Sequence, residues 1–301
     1  GQIIPPSIVL VLLATILQGA NEEAAMLVGN LAPDPVTAID LFAGAILPGL
    51  MLVVLFIIFI FFYARFNPLS CPPVETNRSR KEIYIEAAKS VIPPITLIVL
   101  VLGSILFGIA TPTESASVGA VGAAIIALLK GKLNFKNLKE TSIGTVKLSS
   151  FVFVILIGAS MFSLVFRGFG GDEMIEHFLG NLPGGLYAAL ILVMIVIFLL
   201  GFFLDYIEII FVIVPLVGPI LIANGADPLW LGILISLNLQ TSFLTPPFGF
   251  SLFFLRGVAP DSIQTRNMYK GVIPFIGVQI LAILIVGFYP EIATWLPNKM
   301  F

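Results

Sequence analysis

Two proline pairs lie within long apolar stretches and could place oxygen ligands inside a membrane. They occur in Ile3–Ser7 (Ile-Ile-Pro-Pro-Ser) and Leu244–Gly249 (Leu-Thr-Pro-Pro-Phe-Gly). Proline lacks a backbone N–H and clashes with the carbonyl four residues back, so each pair interrupts a helix. The carbonyl and hydroxyl oxygens exposed there are hard ligands that suit Na⁺. Two such breaks indicate the binding site of an inverted-repeat secondary transporter, whereas one pair alone is equally consistent with a simple kink.

Three polar side chains of the second apolar stretch share one face of the helix predicted there. Asn238, Ser242 and Thr245 are spaced i, i+4 and i+7, which places them on one side of a helix. Their position beside the proline break favours a binding site, in which Ser7, Asn238 and Thr245 would line the substrate. Hydrogen bonding between membrane helices also favours Asn, Ser and Thr, and is the alternative.

A third polar group interrupts the long apolar region 186–223, where Gly201, Asp205 and Glu208 lie near the middle. An acid within a membrane is costly unless it is paired or hydrated. The two apolar arms on either side predict a re-entrant helical hairpin with both acids at its tip. The acids could attract cations or act in gating. Asp205 is also predicted to cap the returning helix, because a helix N-terminus favours a carboxylate.

The segment Thr111–Ser115 is typical of a helix start, and a binding role is the less favoured alternative. Thr113 is predicted as the N-cap, with Glu114 in the first turn. Gly119 and Gly122, which follow, are small residues that permit close packing of membrane helices.

Composition identifies an integral membrane protein. Hydrophobic residues make up 58% of the 301 residues and charged residues only 11%, whereas a soluble domain has about 25% charged residues. The single cysteine, Cys71, excludes an internal disulfide and a Cys-based metal site. Intramembrane protease activity is disfavoured, because the single histidine, His177, lies in a polar loop and Asp205 is the one aspartate in a predicted membrane segment. We therefore expect no enzyme and no cofactor other than Na⁺ as a coupling ion.

The hydropathy pattern predicts an all-α membrane protein with broken helices and a hairpin. Polar loops are expected at 18–40 and 167–185, and a surface-lying helix at 130–147. The predicted spans are 3–18, 46–64, 91–109, 114–129, 148–166, 228–255 (broken at 245–249) and 272–289.

The distribution of positive charge supports a topology with the hairpin leaving and returning on one side. In that arrangement only Arg167 and Lys299, of the 15 lysines and arginines, fall outside the cytoplasm. The C-terminus is then periplasmic, and the two broken spans run in opposite directions.

A weak internal repeat divides the chain into three parts. Each proline pair is followed by an apolar helix, a polar stretch and a span that begins near Pro48 or Pro274. Residues 1–64 would form the end of a first inverted repeat, 65–90 a cytoplasmic linker, and 91–301 a second repeat with the hairpin at about 186–223 and the broken helix at about 228–255. Because the chain begins inside a motif without an initiator Met, we expect its N-terminal part to be missing.

Four motifs in this order resemble the large membrane subunit of tripartite ATP-independent periplasmic (TRAP) transporters, DctM-like, over essentially the whole chain. They are Gly1–Ser7 (Gly-Gln-Ile-Ile-Pro-Pro-Ser), Ala110–Gly119 (Ala-Thr-Pro-Thr-Glu-Ser-Ala-Ser-Val-Gly), Gly201-x-x-x-Asp205 and Leu244–Gly249. The resemblance implies an elevator-type transport subunit of the bacterial inner membrane that imports an organic acid with sodium.

The resemblance also implies two sodium sites. One would use backbone oxygens of Gly1, Ile4 and Pro6 together with an upstream hairpin, and the other would use Gly201, Ser242, Thr245 and Phe248. The family usually has glycine where this chain has Ser242. A serine side chain at position 242 argues against a close approach of the backbone there. Its hydroxyl could serve as a ligand instead.

The implied partners are a small four-helix membrane subunit, separate or fused, a periplasmic solute-binding protein, an organic-acid substrate and the lipid bilayer. No nucleic acid is expected. The alternative is a secondary ion or carboxylate carrier of a related fold that works without a binding protein.

Overall fold

The computed structural model of the chain describes residues 2–70, 72, 79–246, 249–260 and 263–300. All regular elements within these ranges are helices, which confirms the all-α prediction. Seven of the described helices are long and apolar enough to cross a membrane. The residues group into two compact units, the first comprising Gly1–Phe56 and Phe151–Phe301 and the second Ile57–Ser150.

Thirteen α-helices follow one another along the described part of the chain. In chain order they are α1 (Ile8–Leu27), α2 (Ala38–Phe66), α3 (Arg80–Leu106), α4 (Pro112–Leu129), α5 (Phe135–Gly168), α6 (Gly171–Gly180), α7 (Gly185–Leu200), α8 (Tyr206–Glu208), α9 (Val214–Ala223), α10 (Pro228–Leu244), α11 (Phe250–Val258), α12 (Thr265–Phe288) and α13 (Glu291–Met300), with a short 3₁₀ turn at Pro68–Ser70.

Helix α10 forms the core of the first unit. Nearly all of its residues are buried, as expected for a helix surrounded by others. It contacts α1, α7 and α12. The Trp230 indole N–H donates to the Val286 carbonyl at 2.8 Å, which fixes the start of α10 against the end of α12. A Cβ at Gly232 would lie 2.6 Å from Leu17 Cδ1, so α1 packs closely on another side.

The helix–turn–helix predicted over 186–223 is present, with its turn at Gly201–Asp205. Helix α7 forms the first arm. The second arm is continuous over Tyr206–Ala223, because a π-helical segment at Ile209–Ile213 joins α8 to α9. Pro215 follows this segment, and its ring would clash with a carbonyl four residues back in an ordinary α-helix; the wider π turn relieves that crowding. Re-entry into the membrane stays a prediction.

The second unit contains the pairing of α3 with α4. A Cβ at Gly122 would lie 2.3 Å from Leu97 Cδ1, and one at Gly119 would lie 3.3 Å from Val101 Cγ2. The two glycines therefore allow close packing, as predicted. The Ser104 and Ser115 hydroxyls hydrogen-bond at 2.9 Å across the same interface.

The N-cap of α4 is Thr111, and the prediction of Thr113 was wrong. The Thr111 hydroxyl accepts from the Glu114 N–H at 3.3 Å, and the Glu114 carboxylate accepts from the Thr111 N–H at 2.8 Å. This capping box places Pro112 at the first helical position, where its missing N–H costs nothing.

Several helices are longer than predicted. Helix α1 continues to Leu27 into the predicted loop 18–40, because Gln18 and Asn21 are helix residues that bind the loop after it. Gln18 Oε1 accepts from the Val36 N–H at 2.6 Å, and Asn21 Nδ2 donates to the Asp34 carbonyl at 2.8 Å.

The predicted surface helix at 130–147 and span at 148–166 are not separate, since α5 is one continuous helix without an internal proline. Helix α3 begins at Arg80, inside the predicted linker, and a further helix, α13, follows the last predicted span.

Candidate functional site

The first proline break is a non-helical segment that leads into α1. Ser7 is the N-cap of α1: its hydroxyl accepts from the Leu10 N–H at 3.4 Å and donates to the Gln2 carbonyl. Among the described residues, no hydrogen bond uses the carbonyl oxygens of residues 3–6. The carbonyl oxygens of Ile4 and Pro6 therefore accept no hydrogen bond from the described residues, and their use as sodium ligands stays a prediction. Gly1, the third predicted ligand of that site, lies outside the described residues.

Two helices hold the first break in place. A Cβ at Gly49 would lie 3.4 Å from Ile4 Cγ1, so the break packs directly on α2. On the other side, the buried Ile3 N–H donates to Gln240 Oε1 on α10 at 3.2 Å. Beside this contact, Gln2 Oε1 is buried and has no hydrogen-bond partner among the described residues. The surroundings of the break are thus rich in acceptors.

The second predicted break is confirmed, because α10 ends at Leu244 and α11 begins at Phe250. The Thr245 hydroxyl donates to the Thr241 carbonyl at 2.8 Å, which leaves the lone pairs of its oxygen available. Gly249 lies against the end of α10: a Cβ there would be 2.5 Å from the Phe243 carbonyl oxygen and 2.9 Å from that of Thr245. Phe248, a predicted sodium ligand, lies outside the described residues.

The hairpin turn and the second broken helix meet at Gly201 and Ser242. A Cβ at Gly201 would lie 2.2 Å from Ser242 Oγ and 2.6 Å from Ser242 Cβ. Ser242 is fully buried, and its hydroxyl donates to the Leu239 carbonyl at 2.9 Å. The hairpin turn therefore approaches α10 closely although residue 242 is a serine, because residue 201 has no side chain.

Asp205 caps the second arm of the hairpin, as predicted. Its carboxylate accepts from the Tyr206 N–H at 2.8 Å, and Glu208 closes the capping box by accepting from the Asp205 N–H at 3.3 Å. Both acids are thus engaged with the backbone of the turn. A role for them in attracting cations or in gating stays a prediction.

Substitutions at Asp205 separate its capping role from its charge. Asp205→Ala should lower the free energy of unfolding by about 1 kcal/mol, because an N-cap is lost. Asp205→Asn should stay close to the unaltered protein, since asparagine caps equally well. Thermal unfolding of the purified protein measures both. Equal destabilisation by the two variants would show that the negative charge, and not the cap, is required.

Asn238 lies on the α10 face that contacts α7. Its Nδ2 donates to the Met194 carbonyl at 2.7 Å. This contact is a hydrogen bond between membrane helices, which the sequence analysis gave as the alternative to a binding role. Asn238 also borders a cavity of about 280 Å³ between α7, α10 and α12, which is otherwise lined by apolar and aromatic side chains such as Tyr187 and Phe198. Ser7 and Thr245 do not line this cavity, and the substrate-lining role of Ser7, Asn238 and Thr245 stays a prediction.

Sequence reasoning missed Gln240, which connects the first break to α10. Its signal was weak: a glutamine within an apolar stretch, two residues after Asn238 and five before Thr245. Two other buried acceptors, Ser236 Oγ and Gln279 Oε1, also have no hydrogen-bond partner among the described residues, and no contact places either of them at a break.

The helix ends around these residues determine what the arrangement can bind. Helices α7 and α10 both end where Gly201 meets Ser242, so two negative ends of helix dipoles lie close together and favour a cation. Helices α1 and α11 begin at the two breaks, and their N-termini favour an anionic group. A cation and a carboxylate can thus both be accommodated near the breaks.

Comparison with known proteins identifies similar chains along the whole length. The family "Tripartite ATP-independent periplasmic transporter, DctM component" matches residues 1–292. The C4-dicarboxylate TRAP transporter large permease protein DctM of Vibrio cholerae is 31% identical over 321 aligned positions, which cover 100% of this chain and 66% of that protein. The ectoine TRAP transporter large permease protein TeaC of Halomonas elongata is 30% identical, over 87% of this chain and 60% of that protein.

A further relative is the sialic acid TRAP transporter permease protein SiaT of Haemophilus influenzae. It is 25% identical, over 100% of this chain and 45% of that protein. The chain spans about two thirds of the length of the first of these relatives.

Proposed function

Because this chain belongs to the family of DctM components of TRAP transporters, we propose that it forms the large membrane subunit of a sodium-coupled importer of an organic acid. A periplasmic binding protein would deliver the substrate, and a small four-helix membrane subunit would complete the transporter. The membrane is the inner membrane, with the C-terminus on the periplasmic side.

The observation that supports sodium coupling is the meeting of the hairpin turn with the second broken helix. Gly201 and Ser242 are in contact, and Thr245 follows within one turn of α10. Hydroxyl and backbone oxygens at two converging helix C-termini suit a hard monovalent cation. The second ion site would use Gly201, Ser242, Thr245 and Phe248, and the first would use Gly1, Ile4 and Pro6.

An organic-acid substrate fits the opposite helix ends. The α1 N-terminus at Ser7 and the α11 N-terminus at Gly249 carry backbone N–H groups that favour a carboxylate. The α8 N-terminus is already occupied by Asp205, so it is less suited to an anion. The relatives' names specify C4-dicarboxylate, ectoine and sialic acid, and do not select one substrate for this chain.

The proposal is tested by uptake into proteoliposomes. The full-length protein, its small subunit and its binding protein are reconstituted, and uptake of candidate organic acids is measured with and without an inward Na⁺ gradient. We expect uptake to require both the gradient and the binding protein. Uptake that is indifferent to the binding protein would favour the lone carrier, and uptake that is indifferent to Na⁺ would refute the ion role of both breaks.

Thr245→Val tests the second ion site directly. The substitution keeps the shape of the side chain and removes the hydroxyl, so the half-saturating Na⁺ concentration should rise about tenfold. Thr241→Val is the matched control, since Thr241 lies on the same helix and its hydroxyl also donates to a carbonyl four residues back, that of Leu237 at 2.7 Å. Equal sodium dependence in the two variants would exclude the Thr245 hydroxyl as a ligand.

A further inference from the structure

The Gln240 side chain links the first proline break to α10, the helix that ends at the second break. Gln240 lies on α10, five residues before Thr245, and accepts a hydrogen bond at 3.2 Å from the backbone N–H of Ile3. Ile3 is 1% exposed, so water cannot replace this acceptor. The bond therefore joins the segment that carries the first proposed ion site to the helix that carries the second.

The first break has few backbone donors by which it can be held. Pro5 and Pro6 have no backbone N–H, so within residues 3–6 only Ile3 and Ile4 can donate. The donor at Ile3 also fixes the orientation of the Gln240 amide, because its oxygen must face the N–H. The carbonyls of this short segment can thus be held in one arrangement by one side chain.

The opposite side of α10 holds the hairpin turn. Successive residues in an α-helix are rotated by about 100°, so Gln240 and Ser242 point in nearly opposite directions. Gln240 binds the first break, and Ser242 contacts Gly201 in the hairpin turn. Helix α10 is buried on nearly all sides between them. Its close packing leaves little room for one contact to shift while the other stays in place.

We propose that Gln240 is a positioning residue that couples the two ion sites. It does not touch an ion; it holds the Ile4 and Pro6 carbonyls in the arrangement that binds Na⁺ when the second site is formed. The inference rests on the proposed sodium-coupled function and adds a residue to it. Its consequence is cooperative binding of sodium ions at the two breaks.

Gln240→Leu is the main test, in the reconstituted transporter with its binding protein. The substitution removes the acceptor at similar volume and leaves the Ile3 N–H unpaired. We expect the half-saturating Na⁺ concentration for uptake to rise about tenfold and the Hill coefficient for Na⁺ to fall toward one. The maximal rate at saturating Na⁺ should stay within about twofold of the unaltered protein, because no ligand has been removed.

Two further variants keep the test decisive if Gln240→Leu folds poorly. Gln240→Glu retains an acceptor for the Ile3 N–H and should restore a near-normal half-saturating Na⁺ concentration. Gln279→Leu is the matched control, since Gln279 is also a buried glutamine, 5% exposed on α12, and its Oε1 has no hydrogen-bond partner among the described residues. It should leave the sodium dependence unchanged.

The outcomes separate this inference from the function on which it rests. Sodium-independent uptake by the unaltered protein would overturn both. Sodium-dependent uptake with an unchanged half-saturating concentration in Gln240→Leu would overturn the inference alone. An equal rise in Gln240→Leu and Gln240→Glu would also overturn it, because the acceptor would then not matter, and a fall in maximal rate without a change in sodium affinity would assign Gln240 a purely structural role.

Discussion

Replacing Gly201 with alanine is expected to impair sodium-coupled uptake severely. The new Cβ would lie 2.2 Å from Ser242 Oγ and 2.6 Å from Ser242 Cβ, both far inside van der Waals contact. These atoms are close to the backbone of α10, which is buried and cannot yield easily. Overpacking of this kind costs about 1–3 kcal/mol. Because the displaced atoms belong to the proposed ion site, we expect uptake to fall by about 100-fold.

A second substitution should reverse this loss. Ser242→Gly removes both clashing atoms, so the variant carrying Gly201→Ala and Ser242→Gly together should recover uptake to within about tenfold of the unaltered protein. Gly277→Ala on α12 is the control, because a Cβ there would have no atom within 4 Å. Uptake and thermal unfolding are measured for the unaltered protein, Gly201→Ala, the double variant and Gly277→Ala. Failure of Ser242→Gly to rescue Gly201→Ala would contradict the packing observed between the hairpin turn and α10.

The features that sequence predicted correctly are those with local causes. Proline interrupts a helix through its own ring and missing N–H, so the break after Leu244 follows from Pro246 without knowledge of the fold. Asp205 as a helix cap also follows from a local pattern, completed by Glu208 three residues later. The cap of α4 shows the limit: two threonines flank Pro112, and the preference of proline for the first helical position selects Thr111.

The features that the sequence did not predict depend on tertiary contacts. The end of α1 was placed too early because Gln18 and Asn21 resemble loop residues, whereas they are helix residues that bind the following loop. The contact of Ile3 with Gln240 joins residues separated by 237 positions, and no local pattern indicates it. The same is true of Asn238: its helical spacing with Ser242 and Thr245 was correct, but which neighbour that face meets depends on how α7 packs.

The contact between Gly201 and Ser242 was understood only from the sequence and the structure together. The resemblance to a family named both positions as parts of one site, and the structure brings them into contact. Sequence could not decide whether a serine at 242 is tolerated, because that depends on the space left by residue 201. A glycine on the hairpin turn provides that space.

Replacing Gly249 with alanine is expected to be as damaging as Gly201→Ala, for a different reason. Its φ of −40° lies in a region open to any residue, so backbone strain is not the cause. The cause is space: the new Cβ would lie 2.5 Å from the Phe243 carbonyl oxygen and 2.9 Å from that of Thr245. The second break would have to open, and we expect sodium-dependent uptake to fall by about 100-fold.

No side-chain substitution should rescue Gly249→Ala, because the atoms it meets belong to the backbone. Ser242→Gly, which is expected to rescue Gly201→Ala, should have no effect here, so the two glycines can be distinguished in one set of variants. Gly257→Ala is the matched control, since Gly257 lies on α11, the short helix that Gly249 precedes, and a Cβ there would meet no atom within 4 Å. Stabilisation of the purified protein by Na⁺ against thermal unfolding gives a second measurement that does not depend on transport. Stabilisation by Na⁺ that survives Gly249→Ala unchanged would show that the carbonyls at the end of α10 take no part in binding the ion.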